Sequence, residues 1–253
     1  MCRRRSSRHY DGAVPETLVL LHGFSGTRRA WDGVIARLDG ERYRPLALDL
    51  PGHGAAAAAA LAGEPVTFES CVAAVLAQSP ERFALCGYSM GGRVALHVAL
   101  AAPERVSRLT LVSCTAGIED DAERATRRAS DRRLADELER SPFEQFIELW
   151  GAQPVFAGDP PDVVELARED QRRNDPRALA AAMRGIGTGE MTPLWRRLGE
   201  LAMPTAVVVG DRDAKFIAIG RRMAGLLPVG ELVVLAGGHR LALENPAELA
   251  RAI

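Results

Sequence analysis

Six short apolar runs, rich in β-branched residues and bounded by turn formers, set the frame of this chain: Thr17–Leu21, Arg44–Leu48, Phe83–Cys86, Arg108–Ser113, Thr205–Val209 and Glu231–Leu235. Strands that are apolar along their whole length are buried on both faces, as in a parallel sheet. Helical patterns lie between them at Arg29–Leu38, Phe68–Gln78 and Gly91–Ala101, the last followed by Pro103, which cannot continue a helix. Such alternation predicts an α/β chain: a mostly parallel, doubly wound sheet with helices on both faces. The alternation breaks after Ser113. About 80 residues up to Trp195 carry charged, amphipathic helical stretches and no convincing strand. The expected organisation is a core split into 1–114 and 196–253 by a helical cap inserted at 115–195. Ala55–Ala60 has helical propensity and no chemistry, and no internal repeat is present.

At 253 residues and 47% hydrophobic content, the chain can bury one large core. Thirty-two basic against 33 acidic side chains leave a formal charge of -1, so no global field favours nucleic acid or an acidic membrane. No apolar stretch approaches the roughly 20 residues needed to span a bilayer. Met1–Arg8 is basic, but His9-Tyr10-Asp11-Gly12 supplies no apolar signal region, so no exported precursor is expected. Cys2, Cys71, Cys86 and Cys114 are scattered without a CxxC pair, and Cys86 and Cys114 sit in apolar runs. That usage points to a reducing cytoplasm. The expected partner is a small molecule, and a homo-oligomer stays open.

Gly87-Tyr88-Ser89-Met90-Gly91 follows one strand and opens a helix, which is the strand–turn–helix context of a G-x-S-x-G nucleophile elbow. Side chains at Gly87 and Gly91 would collide with neighbouring strand and helix in so tight a turn. A serine hydroxyl is a poor nucleophile or base at neutral pH unless an imidazole accepts its proton. Among five histidines, His239 in Gly237-Gly238-His239 follows the last strand and is the best candidate. His22 and His53 lie in loops at strand ends, where a structural hydrogen bond is the commoner role; His97 is mid-helix and His9 near the terminus.

This elbow resembles that of the α/β-hydrolase fold, whose chain order is serine, acid, histidine. In that fold the acid commonly takes the fourth place of a Gly-x-x-Asp turn, which the resemblance carries onto Gly210 to Asp213; Asp211 is the fallback, otherwise a turn-capping carboxylate. An oxyanion hole needs two main-chain N–H donors. Met90, after the serine, and Phe24, in the loop His22-Gly23-Phe24, are the expected pair.

From Leu20 to its C-terminus the chain resembles more closely the 2-succinyl-6-hydroxy-2,4-cyclohexadiene-1-carboxylate (SHCHC) synthases of menaquinone biosynthesis. The carrying segments are Leu21-His22-Gly23-Phe24, Gly87 to Arg93, Glu123 to Asp131, Trp150 with Gln153-Pro154-Val155-Phe156, and Leu179 to Gly189. The resemblance implies a lyase that eliminates pyruvate from a cyclohexene bearing several carboxylates, the serine–histidine pair removing a ring proton, without metal or organic cofactor. A carboxylesterase or C–C hydrolase acting on a small acidic substrate, and a binding protein that has lost catalysis, are the competing readings of the same triad.

Several carboxylates call for guanidinium groups, whose rigid fork meets a carboxylate bidentately. Arg93 lies one helical turn beyond Ser89, where a charge near the core needs a reason. The family's Glu-Arg-x-x-Arg and Gln-Arg patterns carry Arg127 and Arg172, with Arg124, Arg128 and Arg173 as neighbours; Glu123 and Arg127 alternatively form an exposed helix pair. Ile118 to Glu200 holds 13 arginines, no lysine and 18 acids, so bulk attraction is not the argument. Lys215, the only lysine, stands in an Asp-x-Lys-Phe match; it contacts substrate or braces the acid loop, or else is a chance survivor in an arginine-biased sequence. Tyr88 and Trp150 are candidate pocket walls, or simply core aromatics. One departure is Arg240, where a small or polar residue is usual after the histidine; a cation there is expected to depress the imidazole pKa or displace substrate.

Overall fold

The structure is a computed structural model and describes residues 14–253; Cys2, His9 and the basic start lie outside them. The chain runs β1 (Glu16–Leu21), α1 (Asp32–Ile35), β2 (Tyr43–Leu48), α2 (Ala58–Leu61) and α3 (Phe68–Gln78). It continues through β3 (Phe83–Tyr88), α4 (Met90–Ala101) and β4 (Val106–Val112). Four helices follow without an intervening strand: α5 (Asp121–Arg140), α6 (Phe143–Gly151), α7 (Pro161–Gln171) and α8 (Pro176–Ile186). The sheet then resumes with β5 (Thr205–Gly210), α9 (Ala214–Leu226) and β6 (Gly230–Leu235), and the chain closes with α10 (Leu241–Glu244) and α11 (Pro246–Ala252).

All six strands pair in parallel, in the order β2-β1-β3-β4-β5-β6. Successive strand residues point to opposite faces, so a fully apolar strand feeds two cores. Leu21, Leu85, Leu111 and Val207 enter one with α3 and α4 residues such as Cys71 and Val94. Leu20, Cys86, Val112 and Val208 enter the other with Trp31, Val34 and Leu249. The expected two-faced sheet is what forms. A third, smaller cluster joins Leu138 of α5, Phe146 of α6 and Met183 of α8 and meets Phe24 of the core.

The region expected to be helical at Arg29–Leu38 differs in detail: a 3₁₀ turn at Arg28–Trp31 precedes the short α1. Thr27 caps that turn, and Asp170 of α7 holds Thr27 through its N–H at 2.7 Å, so a long-range contact sets the tight start. Asp170 is buried and also accepts from the Thr27 hydroxyl at 2.5 Å.

The elbow's glycines are required by close approach. A Cβ on Gly91 would overlap the carbonyl oxygens of Leu21 and His22, and one on Gly87 the carbonyl of Gly91. These are backbone atoms that cannot swing aside. Gly91→Ala is therefore expected to destabilise the protein by about 1–3 kcal/mol through overpacking. Thermal denaturation checks it: an unchanged Tm would mean that the elbow has slack.

Candidate active site

β3 ends at Tyr88 and α4 begins at Met90, leaving Ser89 alone to turn the chain, at φ 52° and ψ -106°. A positive φ costs an L-residue energy, and such strain persists only where neighbours over-determine it. Here Ser89 N–H donates to the Val112 carbonyl of β4 at 2.9 Å, and the packed glycines hold the other side. The hydroxyl is thereby raised above the carboxyl ends of the strands, the usual site of ligands in open parallel sheets.

β6 and its following loop deliver His239, and the loop after β5 delivers Asp213. His239 Nε2 lies 3.3 Å from Ser89 Oγ, and Nδ1 lies 2.6 Å from Asp213 Oδ2. The imidazole and the carboxylate are both buried. Asp213 also caps α9 through Phe216 N–H at 3.4 Å. Asp211 instead braces the loop that carries His239, its Oδ1 accepting from Gly237 N–H at 2.9 Å. Between the two carboxylates of this turn, only Asp213 reaches the imidazole.

Phe24 and Met90 border the same pocket as Ser89. Met90 begins α4, where main-chain N–H groups lack helical partners and the helix dipole favours negative charge. The Phe24 loop is shaped by His22, whose Nδ1–H donates to the Gly23 carbonyl at 2.8 Å while Nε2 accepts from Leu50 N–H at 3.0 Å. Those two bonds set one tautomer, and burial lowers its pKa, so His22 is a neutral strut. His53 packs edge-on to Phe24 with centroids 5.5 Å apart. Its Nε2 is buried without a hydrogen-bond partner, and burial holds its pKa well below the ordinary value.

Gly23, Phe24, Tyr88, Ser89, Met90, Arg93, Arg127, Trp150, Phe156, Met183 and the turn Ile186–Thr188 line one pocket. Arg93 is brought to it from α4 and is buried, its Nη1 donating to the Ile186 carbonyl at 2.6 Å. Burial first, and Arg127 second, pull its pKa down to about 10, so it is still a cation at neutral pH. Arg127 reaches the pocket from α5, paired with buried Asp131 at 2.7 Å rather than with Glu123. Trp150 meets Phe24 with centroids 4.9 Å apart. Tyr88 packs 5.4 Å from the His239 ring, its phenol kept neutral because burial raises its pKa. Lys215 is exposed and lines an adjoining cleft with Ser89, Arg127, Asp213 and His239.

Arg172 is a correction, because the fold does not bring it to this pocket. It follows α7, where Asp170 and Gln171 turn inward and the next position, rotated by about 100°, faces solvent. There it pairs with Glu144 at 2.9 Å and Glu165 at 3.4 Å. The neighbouring arginines are committed as well: Arg124 to Asp121, Arg128 to Glu190 at 3.0 Å and Arg173 to Asp170 at 3.8 Å. Arg240 is not a lone cation beside the imidazole either, since Asp159 neutralises it at 2.6 Å. Sequence reasoning passed over Gln153 as a site residue. Its amide Nε2 is buried without a partner in the cleft shared by Ser89 and His239, and its place in the Gln153–Phe156 stretch was the available signal. Among the described residues no group of three or more His, Cys, Asp or Glu side chains could hold a metal ion.

Hydroxyl, imidazole and carboxylate, gathered from three loops at one edge of a parallel sheet, place the molecule among serine-dependent α/β enzymes. The chain belongs to the alpha/beta hydrolase family, whose model matches residues 18–252. A Bacillus subtilis (strain 168) protein, provisionally named 2-succinyl-6-hydroxy-2,4-cyclohexadiene-1-carboxylate synthase, is 34% identical over 91% of this chain and 86% of its own. The protein named as that synthase in Salmonella schwarzengrund (strain CVM19633) is 32% identical over 91% of this chain and 89% of its own. Among solved structures, MenH from S. aureus superposes with a TM-score of 0.86 at 31% identity, covering 96% of this chain and 94% of that one.

Proposed function

We propose that this protein is a lyase that releases pyruvate from a polycarboxylated cyclohexene to give 2-succinyl-6-hydroxy-2,4-cyclohexadiene-1-carboxylate, acting in the cytoplasm. Its cap is the segment 115–195. The observation that carries the reading is the presence of two guanidinium groups, Arg93 and Arg127, in one pocket with Ser89. An ordinary esterase acting on neutral substrates has little use for a buried cation there.

The product bears its succinyl carbonyl on a ring carbon that has become unsaturated, so the proton lost lies next to a carbonyl. Ser89 Oγ takes that proton and passes its own to His239 Nε2, while Asp213 holds Nδ1–H and steadies the imidazolium. Negative charge gathers on the carbonyl oxygen, where the Phe24 and Met90 N–H groups receive it. As the ring double bond forms, the bond from ring carbon to the enolpyruvyl oxygen breaks; the enolate that leaves takes back the proton held on His239, which restores the base, and becomes pyruvate. No water enters the balance. Arg93, Arg127 and Lys215 hold the carboxylates, and Tyr88 and Trp150 wall the ring. No metal or organic cofactor has a role in these steps.

The test is pyruvate release from the cyclohexene precursor, run beside a panel of small aryl esters on one preparation. Folded protein that hydrolyses esters and releases no pyruvate would reject the lyase in favour of a hydrolase. Arg93→Met is expected to raise KM at least about tenfold with a smaller change in kcat, because a charge-assisted carboxylate bond is worth about 1.5–3 kcal/mol. An unchanged KM would remove Arg93 from the carboxylate site.

A further inference from the structure

Three aromatic rings surround the His239 imidazole. Phe216 of α9 lies 4.6 Å away between centroids, Tyr88 5.4 Å and Phe156 5.8 Å. The first two belong to the core; Phe156 belongs to the cap. The core residue next to His239 grips that cap ring: the Arg240 guanidinium lies 3.7 Å from the Phe156 ring centre. Arg240 Nη1 bonds Asp159 Oδ2 at 2.6 Å, and Asp159 N–H donates back to the Phe156 carbonyl at 3.2 Å. The circuit therefore closes on itself from His239 to Arg240, Asp159, Phe156 and the imidazole again.

Both charged side chains are almost wholly sealed, at 7% and 2% exposure. A sealed ion pair gains little net stability over a well-packed neutral pair of the same volume, because desolvation offsets the attraction. Stability alone therefore does not account for it. What it supplies is geometry, since a planar guanidinium can stack on a ring and bind a carboxylate at once.

We infer that Asp159 and Arg240 are positioning residues, a buried clamp that holds Phe156 of the cap against the His239 imidazole and so sets the base and the lid over it by one contact. The inference rests on Ser89 and His239 being the reacting pair, and it does not depend on which substrate they serve.

The test is the rate at which a fluorophosphonate labels Ser89 in the full-length protein, followed against pH, since phosphonylation needs the His239 base whatever the natural reaction. The charged and titratable groups around the imidazole are Asp213, Tyr88, Lys215, the clamp itself, and Glu244, which accepts from Gly238 N–H at 2.7 Å and pairs with Arg212. Asp159→Asn is expected to slow labelling at least tenfold and to move its half-maximal pH downward. A lone guanidinium beside an imidazole disfavours the imidazolium. Slower labelling with an unmoved midpoint would assign the loss to folding and overturn the clamp, as would a wild-type rate. If that variant does not fold, Asp159→Asn with Arg240→Met removes both charges at similar volume and carries the test. The double variant is expected to melt close to wild type and still label at least fivefold slower; recovery of the full rate would show a structural pair only. Wild-type protein that does not label at all would overturn the reacting pair and the clamp together.

Discussion

Ser89→Ala is expected to lower kcat for pyruvate release by about a thousandfold or more, with the fold and Tm retained. The hydroxyl is the only atom lost, and it lies 3.3 Å from His239 Nε2, the position from which a proton can be relayed. Positioned acid–base groups contribute about 10²–10⁴-fold. Because serine and histidine work as one relay, His239→Ala should cost about as much as Ser89→Ala, and the double variant little more than either. The measurement is steady-state pyruvate formation for the three variants, with denaturation curves to show that each is folded. Losses that multiply in the double variant would contradict a shared relay.

The two acids of one turn give the second large effect, through a contrast of substitutions two residues apart. Asp213→Asn should reduce kcat by about 10²–10⁴-fold, because an amide at Nδ1 favours the wrong imidazole tautomer and cannot steady the imidazolium. Asp211→Asn should leave most of the rate in place. Its carboxylate holds Gly237 N–H at 2.9 Å, a bond an amide oxygen can still accept, so the expected change is a small drop in Tm. Equal losses at the two positions would show that the turn acts as one unit and that the bond from His239 to Asp213 is not special.

The described cysteines have no part in these rates. Cys71, Cys86 and Cys114 are free and buried among apolar side chains, and burial pushes the Cys71 and Cys114 thiols up to about 12 and that of Cys86 higher still. A thiol so protonated is a packing element, inert towards alkylation in the native state. Among the described residues no helix is long and apolar enough to cross a membrane.

Much of the molecule was legible in its sequence because two local rules act strongly. The inner strand runs were apparent because burial on both faces demands continuous apolar residues; the edge strands β2 and β6 are more exposed, yet all six runs lie within two residues of the strands that form. The α3 span Phe68–Gln78 matched at both ends, its start marked by the Thr67 and Ser70 capping box. The elbow was readable because one φ value and two close approaches allow so few residue types. The region at Arg29–Leu38 was not, because the contact that tightens it comes from Asp170, far along the chain. For the same reason nothing local separated Arg127 from Arg172, both arginines on helical stretches rich in charge.

The sequence by itself determined the parallel sheet, the serine at its turn and the late histidine, since these follow from residue type at fixed spacing, while the reaction family came from the resemblance to the SHCHC synthases. Tertiary structure alone decided which charges meet. It put Arg93 and Arg127 at the pocket, sent Arg172 to an outer surface with Glu144 and Glu165, and gave Arg240 a buried carboxylate instead of a free cation's influence on the imidazole. The physical reason is range. Backbone conformation is set by neighbours a few residues away, whereas the partner and solvent exposure of a long charged side chain depend on which distant helices pack beside it.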